Sequence, residues 1–100
     1  MNFDDYQTES RKSVVYPYAG SNPVFPALGL AGEAGEIADQ VKKAIRDDSG
    51  AFSERRKVQM KEEMGDALWY IAQIATELGL SLEEIAEVNL TKIRKRYQKV

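Results

Sequence analysis

PALGLAGEAGEIADQVKKAIR (residues 26–46), DDSGAFS (47–53) and ERRKVQMKEEMGDALWYIAQIATEL (54–78) decide the fold of this chain. In the first piece Leu30, Ala34, Ile37, Val41 and Ile45 recur at intervals of three and four, the spacing of one face of an α-helix. In the third piece Met64, Leu68, Ile71, Ala75 and Leu78 repeat that pattern. Asp47, Asp48, Ser49 and Gly50 are turn formers, and Ser53 is placed to cap a long helix that runs to Leu78, with Gly79 as its C′ residue. Two long helices joined by so short a connection are expected to lie antiparallel.

Outward from that hairpin, Ser81-Leu82-Glu83-Glu84 reads as a capping box that opens a final helix through about Tyr97. Its last turns carry Lys92, Arg94, Lys95 and Arg96, the favourable sign for the helix dipole. Upstream, residues 3–13 suit a short helix. In VVYPYAGSNPVFP (14–26), Pro17, Pro23 and Pro26 with Gly20 exclude a regular helix or a central strand. No stretch alternates like a strand, and no repeat is present. The expected fold class is all-α, an antiparallel helical bundle of about four helices in a single domain (1–100), completed by oligomerisation.

Composition narrows the chemistry. One hundred residues make one domain, and 43% hydrophobic with 30% charged residues suits a globular chain. A net charge of −2 offers no basic field for nucleic acid. There is no cysteine and no histidine, which excludes disulfide scaffolds, thiolate nucleophiles, Cys/His zinc sites and Ser-His-Asp triads. The absence of cysteine fits a reducing compartment. The acidic start, MNFDDYQTESRK, is no signal peptide, and no apolar window is long enough to span a membrane, so a cytoplasmic location without membrane partners is expected. Catalysis must then rest on carboxylates, amines, hydroxyls, amides or a hard metal ion.

Two acidic pairs stand out, Glu33-x-x-Glu36 and Glu63-x-x-Asp66. At 100° per residue Glu33 lies about 80° from the centre of the apolar stripe of its helix and Glu36 about 140°. Glu63 and Asp66 lie about 80° and about 140° from theirs, in the same rotational sense. The local two-fold axis of an antiparallel pair sends equal azimuths to the same side of the hairpin. Counted from the turn, the two pairs differ in height by about two residues, or roughly 3 Å. Four carboxylates therefore converge at the edge of the interhelical seam, where they repel one another unless a hard divalent cation binds between them. All-oxygen ligands suit Mg²⁺, with Mn²⁺ as a substitute. Salt bridges to lysines on neighbouring helices are the alternative. A di-iron carboxylate site needs Glu-x-x-His and fails for want of histidine. Asp39 lies nearby, whereas Glu62 points nearly opposite the stripe, toward solvent.

Other residues offer a choice of roles. Asn89 falls within the apolar stripe of the final helix with Lys92 one turn on, so they suit phosphate recognition or, equally, a satisfied core amide and a snorkelling amine. Tyr70, one turn after Asp66, is placed to stack on a base or to pack. Lys42, Lys43 and Arg46 complement the dipole at the end of their helix or bind phosphate. Trp69 and Ala72 lie opposite the main stripe of the long helix, and Gly29, Gly32 and Gly35 thin the back of the preceding one. Both features point to subunit contacts and an assembly of at least two chains.

ALGLAGEAGEIADQVKKAIRD and KEEMGDALWYIAQIATELGLSLEEIAEVNLTKIRKRY together resemble the MazG-like nucleotide pyrophosphohydrolases of the all-α NTP pyrophosphatase superfamily. The resemblance covers about residues 26–97, and Tyr6-Gln7 also fits. It implies a homodimer or homotetramer, with Glu33, Glu36, Glu63 and Asp66 as catalytic metal ligands for Mg²⁺. It also implies Asn89 and Lys92 as nucleotide contacts, and Tyr70 occupies a position where enzymes for pyrimidine nucleotides carry tyrosine. The implied reaction converts a nucleoside triphosphate and water to a monophosphate and diphosphate. A phosphoribosyl-ATP pyrophosphohydrolase-like enzyme and a non-enzymatic helical interaction module are the alternatives.

Overall fold

A computed structural model describes residues 1–98, which form four helices and, among those residues, no strand. They are α1 (Phe3–Arg11), α2 (Val24–Asp47), α3 (Glu54–Glu77) and α4 (Leu82–Gln98). The all-α class is thus as expected, and local chemistry sets the helix ends. Asn2 caps α1 through a reciprocal box with Asp5 that the sequence patterns do not single out. α2 begins at Val24, before Pro26, because a proline in the first turn lacks only an N–H that has no helical partner there. The Ser53 hydroxyl accepts from the Arg56 amide at 3.2 Å and starts α3. Gly79, at φ +70°, ends it: the Leu80 amide donates to the Ala75 carbonyl and the Gly79 amide to that of Thr76, a Schellman closure. At α4 the Ser81 hydroxyl accepts from the Glu84 amide at 3.1 Å, and its carboxylate partner is Asp4 at 2.9 Å. No helix among the described residues is long and apolar enough to cross a membrane.

The chain divides into two compact units, one of residues 24–71 and one of residues 1–23 with 72 onward. The first contains α2, the turn and the greater part of α3. Its turn closes on one carbonyl, since the amides of Asp48 and Gly50 both donate to Ala44 at 2.9 Å. Ala44 itself is wholly buried.

The second unit is organised by polar side chains of α1 along the end of α3. Gln7 donates to the Thr76 hydroxyl (3.0 Å) and the Leu80 carbonyl (2.9 Å), and its oxygen accepts from the Leu82 amide (2.8 Å) at the start of α4. Gln73 is fully buried and donates to Ser10 at 2.9 Å while accepting from Arg11 at 3.3 Å. Periodicity alone leaves Ala72 and Trp69 to a partner subunit. The structure corrects this for Ala72, which is 0% exposed within its own chain. The reason is α1, whose Gln7, Ser10 and Arg11 reach residues 73–77 of α3. Conversely, Met64 and Leu78 of the predicted stripe are more than half exposed.

The proline-containing segment is folded onto one carboxylate. Glu77, whose side chain is fully shielded, accepts from the amides of Gly20 (2.8 Å) and Asn22 (2.9 Å) and from the Arg11 guanidinium (2.9 Å). Gly20 sits at φ +103°, a conformation that side chains resist. Burial by itself would raise the Glu77 pKa, but the Asn22 and Gly20 amides and Arg11 outweigh it, so the pKa lies below its ordinary 4.5. A carboxylate held ionised in this way stabilises the fold above its unfolded pKa, and that contribution is lost as pH falls through the depressed folded value. Thermal melts should therefore show stability declining below about pH 4.5. Glu77→Gln should melt roughly 10 °C lower at neutral pH and lose less on acidification, because Arg11 is already unpaired. A variant that melts like the wild type at neutral pH would contradict this account of the loop.

Candidate functional site

The site is built on the α2/α3 hairpin. A Cβ placed on Gly29 would overlap the Tyr70 ring, so the ring packs directly on the α2 backbone. This contact sets the antiparallel register. One turn beyond Gly29 stands Glu33, one turn before Tyr70 stands Asp66, and a further step of three pairs Glu36 with Glu63.

Glu33 lies near enough to the other three acids to feel their charge. The Glu33 pKa is raised, first by burial and then by the negative charges of Glu36, Asp66 and Glu63. One oxygen of Glu33 and one of Glu63, Oε2 in each, are buried with no hydrogen-bond partner. Glu36 and Asp66 are exposed at the rim, and Glu62 is solvated as its azimuth requires. The carboxylates do not form a ready-made cage: among the described residues no three ligand-type side chains approach closely enough to hold an ion.

Lysine salt bridges do not absorb the cluster. Lys42 (2.7 Å) and Lys43 (3.1 Å) both pair with Asp39, and their hydrogen bonds hold its carboxyl down to about 2. Arg46 pairs with Asp47 at 2.8 Å and Arg56 with Asp48 at 2.8 Å. Lys42 is thus locally engaged rather than poised over the acids.

Beside the cluster lies a polar chain that periodicity does not reveal. Arg56 Nη1 donates to Gln40 Oε1 at 2.9 Å, and Gln40 Nε2 lies 3.5 Å from Glu63 Oε1. Gln40 is one turn beyond Glu36, and Arg56 two turns before Glu63, so continuing the acidic azimuth along each helix would have found both.

Tyr70 is half-buried and meets Trp69 edge-on, with ring centroids 5.3 Å apart at 85°. Its seat corrects one expectation: Gly29 is filled by the chain's own tyrosine, not by another subunit, while the backs of Gly32 and Gly35 are open. Asn89 and Lys92 belong to the other unit. Both are exposed on α4, where they line a groove with Ile85 and Val88, so Asn89 is not the buried amide its stripe position suggests.

Residues 26–100 match the family model of the MazG nucleotide pyrophosphohydrolase domain. The chain belongs to that family. It is 37% identical over 101 residues to the Gene 37 protein of Mycobacterium phage L5, covering 96% of this chain and 89% of that protein. The uncharacterized protein YvdC of Bacillus subtilis (strain 168) is 32% identical over 74 residues, covering 69% of this chain and 70% of its own. No solved structure matches the chain. MazG domains are all-α and generally depend on a divalent metal.

Because Trp69 is the sole tryptophan and touches Tyr70, its fluorescence reports on the seat of that ring. Gly29→Ala should shift Trp69 emission and destabilise the fold by about 1–3 kcal/mol, the usual cost of overpacking. Gly32→Ala, which meets nothing within the chain, should leave the emission unchanged. Equal spectra for Gly29→Ala and the wild type would remove the register contact.

Proposed function

We propose that this protein is a Mg²⁺-dependent nucleoside triphosphate pyrophosphohydrolase that converts (d)NTP and water to (d)NMP and diphosphate in the control or cleansing of a cytoplasmic nucleotide pool. The observation that carries this reading is the pair of buried, unpartnered oxygens on Glu33 and Glu63 among four mutually repelling carboxylates, in a chain of the MazG family. Free buried acceptors are costly, and an all-oxygen donor set fits Mg²⁺ or Mn²⁺.

Glu33, Glu36, Glu63 and Asp66 would hold the metal. When bound, it supplies charge neutralisation on the triphosphate and a lowered pKa for attacking water. The chain's own residues do the rest. The carboxylates accept the proton of a water directed at the α-phosphorus, the bond to the bridging oxygen breaks, and diphosphate leaves in line. Tyr70, on the same unit as the four acids, offers an aromatic face to the base.

The working unit in this reading is a homodimer or homotetramer. Among the described residues the buried hydrophobic ones are Tyr16, Ala44, Ala72, Ala75 and Leu82, three of them alanines. Val58, Met64, Val88 and Leu78 are each more than half exposed, and Phe52, Met60 and Met64 line an apolar groove. So small a core leaves a second copy to cover α3.

Incubation with a nucleotide panel, followed by phosphorus NMR, should show diphosphate and a monophosphate as primary products. Label from heavy-oxygen water should appear in the monophosphate. Glu33→Gln, Glu36→Gln, Glu63→Gln and Asp66→Asn should each lower turnover on the order of 10²-fold or more while the helices persist, and Glu62→Gln should not. Orthophosphate as the primary product, turnover of phosphoribosyl-ATP alone, or no turnover of any nucleotide would defeat the proposal. In light scattering, Met64→Glu should yield smaller species than the wild type, and a monomeric wild type would refute the assembly.

A further inference from the structure

We infer that Gln40 is a positioning residue of the acidic site, holding the Glu63 carboxylate in one orientation through a chain that Arg56 and Asp48 anchor at the hairpin turn. The inference rests on the metal-site reading above. A guanidinium has donors and no acceptor, so the oxygen of the Gln40 side chain must be the atom that faces Arg56 Nη1 at 2.9 Å. The amide NH₂ is thereby turned toward Glu63, and Nε2 lies 3.5 Å from Oε1, the outer edge of hydrogen-bond distance. Gln40 is only 9% exposed, which leaves few alternative partners for its amide. Glu63 therefore has one oxygen beside a fixed donor and the other, Oε2, buried with no protein partner.

The chain is pinned at its far end. Arg56 Nε donates to Asp48 at 2.8 Å, and the Arg56 side chain is 14% exposed. Asp48 is held in turn, because its amide donates to Ala44 and its carbonyl accepts from Ala51. The Arg56–Asp48 pair brings no net charge to the site, yet the guanidinium polarises the Gln40 amide and strengthens its N–H as a donor. Polar groups that orient ligands in this manner alter metal affinity by about 10–100-fold.

The test is a Mn²⁺ titration followed by electron paramagnetic resonance on the full chain, with melting temperatures recorded alongside. Gln40→Met, similar in length and without a donor, should weaken Mn²⁺ binding by about 10–100-fold. Arg56→Lys, which keeps the charge but lacks the planar fork whose Nε and Nη1 face Asp48 and Gln40 separately, should weaken it less and in the same direction. In a Glu63→Gln background, Gln40→Met should add nothing further, since the carboxylate it positions is gone. Should Gln40→Met fail to fold, Arg56→Lys decides the matter. A lowered melting temperature with unchanged Mn²⁺ affinity would show Gln40 to be merely structural and overturn the proposal. So would equal losses from Gln40→Met with and without Glu63. If Glu63→Gln weakens binding while Gln40→Met and Arg56→Lys bind like the wild type, only this proposal falls. A wild-type chain that binds no Mn²⁺ overturns both it and the metal-site reading.

Discussion

The Tyr70 ring occupies the space that a side chain at position 29 would need, and the acidic site depends on that contact because it fixes how far α2 has slid along α3. A helix advances about 1.5 Å per residue, so a slip of one turn would carry Glu33 past Asp66 altogether. At the other end of the hairpin, Arg56 joins Asp48 to Gln40 and holds the register a second time. The four carboxylates lie between these two pins. Two packed rods held at two points leave little freedom for the positions in between, which is how like charges remain together in spite of their repulsion.

That repulsion is left standing. Four cations of the hairpin are committed elsewhere: Lys42 and Lys43 to Asp39, Arg46 to Asp47, Arg56 to Asp48. Asp39 is one turn beyond Glu36 and draws two lysines that could otherwise fold back on the cluster. The raised pKa of Glu33 follows from its burial and from its three acidic neighbours. A seam kept negative and partly dry attracts a small, hard cation far more strongly than scattered surface acids would, because its field is poorly screened.

Helix geometry made the nearness of Glu33 to Glu36, Glu63 and Asp66 legible in the sequence. Rotation per residue is fixed, the turn dictates an antiparallel pair, and equal azimuths then meet whatever the side chains pack against. Helix ends were legible where the chemistry is local, as at Ser53 and Gly79. Long-range side-chain contacts were not. Ala72 falls on the face opposite the predicted stripe, yet α1 covers that end of α3 through Ser10 and Arg11, more than sixty residues away in sequence. The glycines gave the same periodic signal three times, but only Gly29 meets a ring. Glu77 carries no motif, and only the folded chain shows the Gly20 and Asn22 amides closing on it.

The composition of the core bears on how the site is kept rigid. Alanines at 44, 72 and 75 are fully or almost fully buried and let neighbouring segments approach closely, but each removes little apolar area from water. Val58, Met64 and Val88 are each more than half exposed, while Leu30, Ile37, Leu68, Ile71 and Ile74 are half-buried. Polar contacts add to this order: Gln7 and Gln73 tie α1 to the end of α3, Glu77 at the end of α3 holds the loop, and Gln40 and Arg56 brace the hairpin. Hydrogen bonds of this kind specify geometry well and add only about 1 kcal/mol each to net stability. Precise placement of the acids and a modest apolar core thus arise from the same choice of residues.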